Sequence, residues 1–95
     1  MVELLPAAAT ARELATVPLW TRDGAFLRRT FRFDDFATAF AFMVRVALLA
    51  ERADHHPDWS NSYGTVEVRL STHAARGLTL RDFDLARAID RALGG

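Results

Sequence analysis

The segment FATAFAFMVRVALLAERA, Phe36 to Ala53, constrains this chain more than any other. Alanine, leucine and methionine are strong helix formers, and Asp34 or Asp35 just ahead of them offers a carboxylate able to cap a first turn. One long helix is therefore expected. Laid out at about 100° per residue, Phe36, Phe40, Met43, Ala47 and Ala50 fall on one side, and Phe42, Val46, Leu49 and Ala53 on the adjoining one. Only Thr38, Arg45 and Arg52 leave a narrow polar strip. A helix apolar around so much of its circumference needs more cover than one face of a small sheet supplies. The surplus is read as a subunit interface across 34–53, which implies a homodimer or homotetramer; cover by the first and last helices of the same chain is the alternative.

What flanks this helix is shorter. Alanines with Glu13 and Leu14 allow a first helix between Pro6 and Pro18. VPLW, TRDG and AFLRRTFRF read as strand, turn and strand, because Asp23-Gly24 tolerates the positive φ angles of a tight hairpin. In the second strand Leu27, Phe31 and Phe33 share one side, and Arg28, Thr30 and Arg32 the other. After Pro57, GTVEVRLS sets Val66, Val68 and Leu70 against Glu67, Arg69 and Ser71, a strand with one buried face. Gly77 supplies a turn. Thr79 with Asp82 three residues on resembles a capping box for a last helix, whose Leu85, Ala86, Ile89 and Leu93 form one stripe. The order predicts an α+β fold, a small antiparallel sheet of about four strands with helices packed on one face. Ninety-five residues with no repeat and no linker make 1–95 a single domain.

Composition removes several classes of function. There is no cysteine, so neither thiolate catalysis nor a cysteine-ligated metal is available. The twelve basic residues are all arginine, scattered along the chain and balanced by twelve acidic ones. The basic patch of a nucleic-acid binder is missing, and no direct nucleic-acid partner is expected. MVELLPAAATARELA has neither a basic leader nor a long apolar run, so no signal peptide or membrane span is expected and the cytoplasm is the simplest location.

All three histidines fall within ERADHHPDWSNSYGTVEVRLSTH, Glu51 to His73. Pro57 is expected to end the long helix, which leaves His55 and His56 at or just past a helix C-terminus, where exposed carbonyls favour positive charge. His73 directly follows a strand. Three readings are open. The imidazoles can be solvated or structural. They can bind a metal together with Asp54, Asp58 or Glu51, although adjacent side chains in extended backbone diverge and no H-x3-H spacing is present. Or they can act in general acid and base catalysis, which needs groups titrating near neutrality on either side of a reacting bond.

The pattern Glu51-x3-His55-His56-Pro57-x5-Tyr63-x9-His73, followed by Asp82 and Asp84, resembles the signature of the pterin-4a-carbinolamine dehydratases. The likeness runs from the long helix to the last one, with Trp20 as a further match. What the resemblance implies is a hydro-lyase. A tetrahydropterin bearing a hydroxyl on carbon 4a loses that hydroxyl as water and becomes quinonoid dihydropterin, which recycles the cofactor of aromatic amino acid hydroxylases. The pterin is the substrate, and no metal or separate cofactor is required. One group protonates the departing hydroxyl while another takes the proton from N5. Imidazoles suit both tasks, since their unperturbed pKa of about 6.5 leaves acid and base forms both populated.

By the same resemblance His55 and His73 are the acid/base candidates, with donor and acceptor unassigned between them, and His56 has a substrate-binding or supporting role. Asp82 would orient His73, although helix capping alone also accounts for it. Trp20 would wall the pterin pocket, Glu51 would accept a hydrogen bond from a histidine, and Pro57 would fix the turn that presents the pair. The family also holds protein-binding members, namely dimerisation cofactors of a homeodomain transcription factor in animals and assembly scaffolds without the histidine motif. A binding role at the helix surface around Phe42, Val46 and Leu49 is accordingly the alternative function.

Overall fold

The computed structural model describes residues 3–94. In chain order these form α1 (Ala7–Leu14), β1 (Thr21–Asp23), β2 (Phe26–Arg32), α2 (Phe36–Ala53), β3 (Asp58–Ser62), β4 (Thr65–Leu70), a 3₁₀ turn at His73–Ala75, and α3 (Leu80–Gly94). The four strands make one antiparallel sheet in the order β1-β2-β4-β3. This is the α+β arrangement that the alternating patterns predict. Its inner face follows from the register, in which Leu27 pairs with Leu70, Arg29 with Val68 and Phe31 with Val66. Those five apolar side chains are buried together with Ala39, Phe42, Val46 and Ala50 of α2 and Phe83, Leu85, Ala86 and Ile89 of α3. Both long helices thus pack on one side of the sheet, and Arg69 on the other side is exposed.

Three local expectations change. Val17–Trp20 is not a strand but a pair of turns, with Val17 N–H donating to Leu14 C=O (3.1 Å) and Trp20 N–H to Val17 C=O (3.0 Å). Pairing with β2 starts only at Thr21, opposite Arg28. The hairpin loop is Gly24-Ala25 rather than Asp23-Gly24, because Asp23 pairs with Phe26. Gly24 at the first loop position carries the positive φ, 60°, the place where a type II′ turn wants glycine. Arg29 also joins the inner face, where its guanidinium lies 4.3 Å above the Phe31 ring.

The long helix has the expected bounds, and of the two candidate caps Asp35 is the one used, its Oδ1 accepting from Thr38 N–H at 2.7 Å. Its two apolar sides divide differently from the wheel. Phe42 and Val46 are core and Leu49 is half-buried, so the binding surface expected around them is spent on the sheet and α3. The uncovered apolar stripe is Phe36, Phe40, Val44 and Leu48, stepping four residues at a time. In α3 the stripe gains Phe83, fully buried, while Leu93 lies exposed near the helix end.

Candidate active site

The histidine pair is set by how α2 stops. Asp54 adopts the left-handed conformation (φ 51°, ψ 43°), its N–H bonds to Glu51 C=O, and His55 N–H bonds to Ala50 C=O at 3.1 Å. These are the paired bonds of a Schellman cap, with aspartate where glycine is more usual. The helix therefore ends at Ala53 by its own capping, and Pro57 acts later, at the entry to β3.

Beyond the cap the two imidazoles part. His55 turns inward, 8% exposed, and its Nε2 lies 2.6 Å from Asp82 Oδ1. Asp82 is fully buried in the first turn of α3. Its Oδ2 accepts from Thr79 N–H (2.9 Å) and from Thr72 Oγ1–H (2.8 Å), while Arg81 N–H donates to Thr79 Oγ1 (3.2 Å). The capping box is thus formed, and it does a second job. One carboxylate clamps the start of α3, the end of β4 and the loop after α2. The expected Asp82–His73 contact is absent, because the capping geometry aims the remaining carboxylate oxygen at His55.

His56 points outward, its Nε2 2.8 Å from Glu51 Oε1, which gives Glu51 the imidazole partner expected of it. His73 opens the 3₁₀ turn that Thr72 and Gly77 close with mutual backbone bonds of 2.9 and 3.4 Å. Its Nε2 lies 3.3 Å from Asp58 Oδ2. Each imidazole therefore faces its own carboxylate, and among the described residues no three histidine, aspartate or glutamate side chains are grouped to hold a metal ion.

The three imidazoles line one open cleft of about 310 Å³, together with Asp54, Pro57, Asp58, Ser71, Thr72, Ala74 and Arg81. A groove of about 380 Å³ lies alongside between α2 and α3, but His55 is the only imidazole that reaches it. The cleft with all three is where acid–base chemistry can be done. His55 is the most buried imidazole of the cleft. Asp82 is the one hydrogen-bond partner of the His55 ring among the described residues, and it takes Nε2. With Nε2–H directed at the Asp82 carboxylate, the neutral ring carries its lone pair on Nδ1.

Trp20 does not belong here. It is 3% exposed, donates Nε1–H to Asp90 Oδ1 at 2.9 Å and sets its ring edge-on to Phe31, so α3 and β2 use the indole in the core. Asp84 is turned to Arg87, and that hydrogen bond is the main reason the guanidinium pKa is raised further. Sequence reasoning missed Thr72 and Arg81, whose guanidinium ties α3 to the α2 cap through Asp54 C=O (2.7 Å). Asp58 entered only as a metal donor. Nothing periodic marks these positions; only the topology brings them to the cleft.

The family model of pterin 4 alpha carbinolamine dehydratase matches residues 3–92. The chain belongs to that family. A Rhodospirillum rubrum protein, provisionally named a pterin-4-alpha-carbinolamine dehydratase, is 53% identical over 96 residues, 99% of this chain and 100% of its own length. A Bradyrhizobium sp. (strain ORS 278) relative with the same provisional name is 54% identical over 92 residues, 95% of this chain and 92% of its own. Among solved structures, a transcriptional coactivator/pterin dehydratase from Brucella melitensis superposes with a TM-score of 0.88 at 38% identity, covering 92% of this chain and 95% of that one. A pterin dehydratase-like protein identified as a RuBisCO assembly factor of the alpha-carboxysome shares the fold, with a TM-score of 0.64 at 22% identity over 76% of this chain and 83% of its own.

Proposed function

We propose that this protein dehydrates a 4a-hydroxytetrahydropterin to quinonoid dihydropterin and water, recycling the pterin for an aromatic amino acid hydroxylase, with no metal and no further cofactor. The observation that carries this reading is the set of three imidazoles in one open cleft, each backed by a carboxylate, in a chain of this family. The reaction moves one proton to a hydroxyl and one away from N5 while the C4a–O bond breaks and C4a=N5 forms. His55 suits the acceptor, because Asp82 holds Nε2–H and leaves the Nδ1 lone pair free. His73 suits the donor, since it reaches the same cleft from a different element, the turn after β4. His56 with Glu51 supports the substrate at the rim, and Pro57 fixes the loop between them.

The purified protein should speed the decay of freshly generated 4a-hydroxytetrahydropterin, and a chelator should leave that rate unchanged. His73→Ala should lower kcat by about 10²-fold or more. Wild-type protein with no effect on the decay would refute the reading.

The exposed stripe favours a second, compatible role as a protein-binding module. Phe36, Phe40, Val44 and Leu48 are 49%, 51%, 47% and 67% exposed, a continuous apolar row rather than scattered single residues. It supports a homodimer or homotetramer through α2, and the description of the Brucella melitensis protein as a coactivator fits a surface of this kind. Light scattering at micromolar concentration should give a dimer or tetramer; a monomer would remove the interface.

A further inference from the structure

We propose that Asp58 is a positioning residue, holding the His73 imidazole in the orientation from which it protonates the departing hydroxyl. This rests on the dehydration reading above. Asp58 is the first residue of edge strand β3, and the register sets Arg69 of β4 directly opposite it. Opposite charges facing across an antiparallel pair attract, so Arg69 is the partner that sheet geometry offers. The two do not pair. Arg69 instead lies over the Phe26 ring at 5.2 Å, and the Asp58 carboxylate turns to His73, its one ion-pair partner among the described residues.

His73 needs such a partner. Its backbone is fixed by the Thr72–Gly77 bridge and, through the Thr72 hydroxyl, by Asp82. Its side chain, however, is 71% exposed, and Asp58 provides the only hydrogen bond to the ring among the described residues. A proton donor free to rotate into water spends most of its time out of reach of the substrate, and modest misplacement of a reacting group is costly in rate. With Asp58 accepting Nε2–H, the proton offered to the hydroxyl is the one on Nδ1. That proton joins the hydroxyl oxygen, the C4a–O bond breaks and water leaves. Asp82 faces His55 and Glu51 faces His56 in the same way, so Asp58 completes the set from a third element, β3.

Asp58→Asn and Asp58→Glu in the full chain test this. The asparagine variant should lower kcat about tenfold, with KM for the pterin within about twofold of wild type and an unchanged Tm. The glutamate variant, which keeps the carboxylate, should recover most of the loss. In nitrogen-15 spectra of the free protein, the ring nitrogens of His73 should shift in Asp58→Asn while those of His55 stay in place. Unchanged His73 shifts would overturn the proposal, and so would a raised KM with normal kcat, which would make Asp58 a substrate contact. The spectra need no turnover, so shifted His73 signals in an enzyme whose wild type is inactive would sink the dehydration reading alone and leave the Asp58–His73 contact standing.

Discussion

Of the three aspartates in helix α3, Asp82 and Asp90 lie about two turns apart, and each draws in side chains from distant parts of the chain. Asp82 gathers His55, Thr72 and Thr79; Asp90 gathers Trp20 Nε1–H at 2.9 Å and Arg29 at 2.7 Å. The two clusters differ in what they leave over. Around Asp90 both donors are held against one core ring, with Arg29 stacked on Phe31 and the indole edge-on to it, and neither lines the histidine cleft. Around Asp82 the imidazole lines an open cleft, and its Nδ1 has no hydrogen-bond partner among the described residues. The same residue type in the same helix thus serves the core in one place and chemistry in the other. A buried carboxylate points to a site only when the groups it holds retain a valence for something outside the protein.

The largest expected effect comes from Asp82→Ala. It removes an acceptor from a buried imidazole, a buried hydroxyl and a helix-start N–H at once; the Thr72 hydroxyl keeps Thr79 Oγ1 at 2.7 Å, and each group left without a partner costs about 1–3 kcal/mol. Because the three share one carboxylate the losses do not add, so a destabilisation of about 3–5 kcal/mol is expected in urea unfolding. The kcat should fall by about 10²-fold, since His55 loses the bond that fixes its tautomer and place. Asp82→Asn, which fills the same volume, should recover stability more than rate. An alanine variant with wild-type kcat would break the contrast, because Asp82 would then be a structural aspartate like Asp90.

Asp90→Ala is the converse experiment. Trp20 Nε1–H and the Arg29 guanidinium lose their acceptor, at a cost of about 1–3 kcal/mol, while kcat/KM should stay within about twofold of wild type. If activity falls in step with stability, Trp20 belongs to the pterin pocket after all, as the family likeness implied. The two expectations separate because the histidine cleft has neither residue in its lining.

This pair of clusters also marks where the sequence stops being readable. The bounds of α2, the alternation of β4 and the Thr79–Asp82 cap are set within a few residues, and all three could be read directly. That His55, His56 and His73 share a cleft was implied only by the family resemblance of their pattern. The partner of Trp20 lies 70 residues away, and no local pattern distinguishes an indole in the core from one lining a pocket. Asp82 went to His55 rather than His73 for the same reason, since capping fixes where the carboxylate sits but only the tertiary fold decides which imidazole arrives. The side of α2 that became core was settled by α3 and the sheet. A wheel of nearly continuous apolar residues carries no information about that choice.

A third aspartate sharpens the comparison, because Asp35 is a helix cap with no gathered partner. Its Oδ1 accepts from Thr38 N–H at 2.7 Å at an exposed helix start. That backbone hydrogen bond, the largest cause, holds its carboxyl below the usual carboxylate value. The folded pKa lies below the unfolded one of about 3.9, so the stabilisation is present above that value and is lost as pH falls through the lower folded pKa. Asp35→Asn keeps a capping side chain that does not titrate. Its unfolding free energy should therefore depend less on pH than that of wild type between about pH 5 and pH 2, while kcat at neutral pH is unchanged. If the variant lost activity as well, capping at the far end of α2 would be felt at the cleft. The line between a cap that serves the fold and one that serves the site could then no longer be drawn from the groups each carboxylate touches.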